Sequence, residues 1–235
     1  MKLQPIDAAK QYITDNFPNS DAAILAGSVV RGEATSTSDL DILVFDNSIQ
    51  KSYRESLIDY DWPIELFVHN FESYKFHWNE NVDRGRPSMP RMIAEGLILK
   101  DHETLAKIKA EAVEVLKNGP AALTEEIIRM KRYFITDLLD DLIGSVVRSE
   151  TIYVANALVE QLHEFVLRVN RQWIGSSKWI DRSLRKWDDD IADQFILALE
   201  DIYLENNKTT LVVLTESILA PYGGRLFSGF SLGKE

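Results

Sequence analysis

Apolar residues change their rhythm once along this chain, and the change falls near residues 102–120. Before it, short apolar runs alternate with helical stripes. AAILAG (22–27), DLDILVF (39–45) and PIELFV (63–68) are rich in strand formers. Residues 5–17 set Ile6, Ala9, Tyr12, Ile13 and Phe17 along one helical face. RPSMPRMIAEG predicts a short helix stopped at Gly96, with LILKD a fourth strand. After the change, strand signal is almost absent. ETLAKIKAEAVEVLKN (103–118) predicts a helix ending at Gly119-Pro120. LTEEIIRMKRYFITDLLDDLIGSVV, IYVANALVEQLHEFVLRVNRQWI (about 152–174), DDDIADQFILALEDIYLEN and TLVVLTESILA continue as helices. Strands mixed with helices, then helices alone, imply an α/β or α+β domain followed by a helical bundle of four or five members. The closing SGFSLGKE is expected to be a mobile tail.

Composition narrows the class. A hydrophobic share of 45% beside 27% charged residues fits a soluble globular protein, and no apolar run approaches the roughly 18 residues of a membrane span. MKLQPIDAAKQYITDNF carries acids where a secretion signal would have an apolar core. With no cysteine, disulfides, thiol catalysis and cysteine-ligated zinc are excluded, and a cytoplasmic location is expected. The net charge of −11 argues against a dedicated nucleic-acid binder, whose footprint is basic. It serves solubility or attracts a cationic partner.

AGSVVRGEATSTSDLDILVF (26–45) opens almost like a phosphate-cradling loop, with four residues between Gly27 and Gly32. Such a loop places a lysine next, to reach the β- and γ-phosphates. Glu33 stands there instead and would repel them. Further on, Asp39 and Asp41 share one strand face roughly 6.6–6.8 Å apart. Two acids side by side on an apolar strand call for a compensating cation. Magnesium, an oxygen-seeking ion held by one or two carboxylates and substrate phosphates, suits them; a solvated strand end is the plainer alternative. Glu65 interrupts WPIELFVHN, and it completes a three-carboxylate site if its strand neighbours residues 39–45.

Taken together, Gly27-Ser28 closing a strand, a small polar spacer, Asp39-Leu40-Asp41 in an apolar strand and Glu65 on a later one resemble the signature of the DNA polymerase β-like nucleotidyltransferase superfamily. The resemblance implies an α+β fold: a minimal nucleotidyltransferase domain (a mixed sheet with flanking helices) over residues 1–118, then an α-helical bundle over 119–235. It implies two Mg²⁺ ions and a nucleoside triphosphate, with Asp39, Asp41 and Glu65 as catalytic and metal-binding residues. Glu65 would ligate metal, take a proton from the attacking hydroxyl, or both. Gly27 would let the nucleotide approach, and Ser28 would open a helix whose N-terminus meets phosphate. Arg31 would add a cation one turn into that helix, and Ser38 a further phosphate contact.

A small catalytic domain followed by a helical bundle is similar to the branch that adenylylates aminoglycosides or nucleotidylates lincosamides. In RQWIGSSKWIDRSL (171–184), a lysine follows a Gly-Ser turn, which in related enzymes reaches the triphosphate; Lys178 takes that part here. The expected reaction is transfer of AMP from ATP to a small-molecule hydroxyl, with an aminoglycoside as the named acceptor. Acidic candidates for its ammonium groups are Asp137, Asp140, Asp141, Glu160 and Glu164, with a solvated helix face as their plainer reading. Trp173 and Tyr133 are stacking or core residues, and His163 is structural. A protein or RNA acceptor, and a degenerate nucleotide-binding module, are the rival readings. No membrane partner is expected. Some relatives share active sites across a homodimer, an arrangement compatible with this sequence.

Overall fold

The computed structural model describes residues 3–233, and the chain forms two compact units that meet at Gly119 and Pro120. In the first unit, α1 (Pro5–Asn16) leads into β1 (Ala22–Ala26), β2 (Leu40–Phe45), β3 (Tyr53–Asp59) and β4 (Trp62–His69). Then come α2 (Tyr74–Asp83), α3 (Ser88–Glu95), β5 (Leu97–Lys100) and α4 (Glu103–Asn118). The sheet runs β3-β4-β2-β1-β5, with β2 and β4 parallel and every other pair antiparallel.

Alternation sorts each central strand between two cores. Leu40, Ile42, Val44, Ile64, Leu66 and Val68 join Ala8, Ala9, Tyr12 and Ile13 of α1. Leu43 and Phe45 face the other way and join Tyr74, Trp78, Ile93 and Leu105 of the later helices. Proline at the start of α1 suits the first helical turn, where its missing N–H is no loss. His102 caps α4 by accepting the Thr104 N–H at 3.2 Å.

The second unit holds α5 (Glu125–Gly144), α6 (Arg148–Val169), α7 (Trp179–Trp187), α8 (Asp189–Glu200) and α9 (Thr209–Leu219). Leu139, Leu158, Leu162, Phe165, Phe195 and Leu211 lie in its core. Thr124 and Asp188 cap α5 and α8 through the N–H groups of Ile127 and Ile191. A π-helical turn (Asp201–Glu205) extends α8, and the Arg148 guanidinium takes the carbonyls of Ile202 and Tyr203 there.

Two elements, β3 and α7, carry no prediction from sequence, and two expectations, the end of α6 and the tail, are corrected. β3 carries no regular apolar alternation, because it is an edge strand whose residues are mostly exposed. α6 stops at Val169 rather than near 174: Arg171 turns left-handed (φ 55°) and the Gln172 N–H closes on the Leu167 carbonyl at 2.8 Å. That stop is usually made by glycine, so the sequence hides it. The segment after Lys178 is a helix, α7. The tail is docked: Phe230 stacks on Tyr133 with ring centres 4.0 Å apart, and the Gly229 carbonyl accepts from Arg129. Lys234 and Glu235 of the expected tail lie outside the described residues.

Candidate active site

Parallel pairing of β2 with β4 sets Asp41 directly opposite Glu65. Asp39 precedes β2, and carboxylate oxygens of Asp39, Asp41 and Glu65 all lie within 4.8 Å of one another. All three side chains are half-buried. On the other side of β2, Ala26 pairs with Asp41, so the chain leaves β1 at Gly27 right against that carboxylate. Gly27 is left-handed (φ +83°), and a Cβ built on it would stand 2.0 Å from Asp41 Oδ2. Glycine is required there twice over, by conformation and by space.

Like charges crowd this point. Burial, then Asp39, then Glu65 push the Asp41 carboxyl up to about 6, against the opposing pull of Arg31 and Arg54. An all-oxygen donor set whose members repel one another fits a divalent hard cation such as Mg²⁺.

Two cations border the triad. The Arg54 guanidinium on β3 pairs with Glu65 and lies over the Phe67 ring, 5.0 Å from its centre. This arginine was not a sequence candidate, since β3 itself gave no periodic signal; the Asp-Trp-Pro boundary of the hairpin was the one usable cue. Arg31 bonds Glu33 at 3.2 Å and Glu95 at 3.4 Å.

The bend after β1 departs from expectation. Residues 28–32 make a turn and no helix follows. Glu33 N–H reaches the Ser28 carbonyl at 2.9 Å, Gly32 is again left-handed, and the chain then runs irregularly to β2. Hydroxyls in the TSTS stretch (35–38) compete with the backbone for N–H groups, as Ser38 Oγ does by accepting from Thr35 N–H at 2.8 Å. The expected helix end for phosphate is therefore absent. What the bend does bring together is Ser28 and Ser38, whose hydroxyls lie 3.0 Å apart.

Lys178 belongs to the second unit, exposed, just before α7. The acidic residues proposed for ammonium recognition divide there: Asp140 pairs with Arg225 at 3.0 Å and Glu164 with Lys131 at 3.6 Å. Asp137, Asp141 and Glu160 are exposed. Trp173 is buried. His163 is fully buried, with its ring nitrogens near the carbonyls of Val159 and Gly175. Among the described residues no helix is long and apolar enough to cross a membrane.

A mixed sheet carrying an acidic triad beside a glycine–serine bend defines a domain built for nucleotidyl transfer. Residues 6–77 match the family described as nucleotidyltransferase domain, a span that contains all three carboxylates and the bend. Residues 6–77 therefore form a nucleotidyltransferase domain, which supports transferase activity of the EC 2.7.7 type; the family typically uses a nucleoside triphosphate and a divalent metal. No match was found among curated proteins. Among solved structures, a nucleotidyltransferase-like protein from Exiguobacterium sibiricum 255-15 is similar at 14% identity and a TM-score of 0.47, over 92% of this chain and 74% of that one. At that distance no residue's role transfers.

Proposed function

We propose that this protein transfers AMP from ATP to a hydroxyl of a small molecule. The acceptor oxygen attacks the α-phosphorus in line, the bond to the β-phosphate oxygen breaks, and pyrophosphate leaves. The convergence of Asp39, Asp41 and Glu65 within 4.8 Å carries the reading.

Asp39 and Asp41 would hold magnesium, with Glu65 as a third ligand. Two such ions, when bound, supply charge neutralisation at the triphosphate and polarisation of the α-phosphate. Glu65 would also take the acceptor's proton. Gly27 leaves room for the nucleotide, and the paired hydroxyls of Ser28 and Ser38 are suited to donate to phosphate oxygens. Arg31, now held by two glutamates, contributes positive potential. Lys178 is assigned to the triphosphate by resemblance alone. Catalysis belongs to residues 1–118 and the bundle of 119–235 serves recognition. The acceptor pool to test pairs an aminoglycoside, the acceptor expected from the resemblance, with uncharged hydroxyl compounds. The absence of cysteine supports a cytoplasmic setting.

The test is the purified Asp39→Ala/Asp41→Ala double variant, supplied with magnesium, ATP and pooled hydroxyl acceptors. Pyrophosphate release falls to background while the melting temperature holds or rises, because removing crowded acids relieves repulsion. Undiminished release would refute the assignment.

A further inference from the structure

Beside the triad, in the first unit, lies a cavity of about 370 Å³. Its floor is the same face of β3 and β4 that presents Glu65. Phe67 and His69 follow Glu65 at two-residue steps, with Arg54 opposite Phe67, while His77 of α2 and Ser88 and Met92 of α3 line the walls. A ligand with its hydroxyl at Glu65 would reach Phe67 after about 7 Å and His69 after about 13 Å. Small-molecule sites are of this size and make-up, mainly apolar with a few polar groups.

We infer that this cavity holds the body of the acceptor, and that the acceptor is a hydroxyl compound with an uncharged ring body rather than a polyammonium sugar. The inference rests on the nucleotidyl-transfer reading above.

Charge decides the class. Among the described residues no aspartate or glutamate lines the cavity, and Arg54 is the one fixed cation lining it. An ammonium group would lose its water there with no carboxylate facing it and a guanidinium nearby. An anion would draw Arg54 away from its ion pair with Glu65. His69 adds no charge: it is 4% exposed, its Nδ1 lies 3.1 Å from Ser52 Oγ, and burial, then His77, push its pKa down to about 4. The ring of Phe67 and the thioether of Met92 offer a flat apolar seat, and the hydroxyl of Ser88 a polar contact.

Three probes with one phenyl sugar body separate the possibilities: phenyl β-D-glucoside (neutral), phenyl β-D-glucuronide (anionic) and phenyl β-D-glucosaminide (cationic). Binding to the full chain is read by saturation-transfer NMR, with and without magnesium and a non-hydrolysable ATP analogue. The glucoside is expected to bind, and each charged probe at least ~10-fold more weakly. Met92→Trp fills the cavity and weakens glucoside binding by at least ~10-fold while the ATP analogue still binds. Ser88→Asp, at an exposed helix start that tolerates substitution, shifts preference toward the glucosaminide. No glucoside binding, tighter binding of either charged probe, or indifference to both substitutions would overturn the inference. If wild-type protein fails to bind the Mg–ATP analogue, the transfer reading fails instead, and glucoside occupancy without nucleotide still reports on the cavity.

Discussion

A methyl group at position 27 would stand 2.0 Å from Asp41 Oδ2, in a backbone conformation that side chains resist. Gly27→Ala therefore carries two penalties, a left-handed residue costing about 1–2 kcal/mol and a displaced carboxylate. A shift of about 1 Å at a reacting centre can lower turnover ~100-fold, so kcat/KM should fall by at least that factor. The melting temperature, measured alongside, should drop by only a few degrees. Equal activity in this variant would mean that Asp41 has no fixed place in the chemistry. Arg54 shows the opposite kind of residue. Its partner Glu65 was visible in sequence, but the arginine was not, because a lone cation on an edge strand looks like any solvated side chain until the hairpin pairs it.

Elements were legible where one physical signal dominated. The central strands β1, β2 and β4 announce themselves through their short apolar runs, and α4 through its stripe and its glycine stop. The acidic triad was legible because Asp39, Asp41 and Glu65 break apolar runs where acids are costly. Where tertiary structure overrode local signal, the reading failed. β3 is held by pairing with β4, the end of α6 by an arginine in a glycine's role, and the bend at 28–32 by backbone bonds such as that from the Glu33 N–H to the Ser28 carbonyl, where a helix was expected. The β3–β4 hairpin turns on Tyr60 and Asp61, both left-handed (φ 51° and 61°), where asparagine and glycine are the favoured pair. Asp61 is exposed, so Asp61→Gly should stabilise the unit by roughly 0.5–1 kcal/mol. Denaturant melts of the two proteins would register this as a higher midpoint; a lower one would mean that Asp61 contributes more than its backbone.

At the scale of the molecule, acidity and metal binding become one measurement. Asp41's carboxyl, lifted to about 6 from 3.8, favours the protonated folded state. Its contribution to stability is complete below the unfolded value and is lost as pH rises through the folded one. A divalent cation held by the triad, as proposed, would reverse that loss and compete with the proton for the same oxygens. The rise in melting temperature on adding magnesium should thus be larger at about pH 7.5 than at about pH 5; an equal rise at both would place the ion elsewhere. The parallel register of β2 and β4 has a last consequence. Sliding β4 by a single residue would swing Glu65 into the oily layer under α1 and turn Ile64 and Leu66 onto the opposite face, toward Asp41. Miswired chains are thereby rejected by the interior itself, so a molecule that folds at all has, by that act, already assembled its acids.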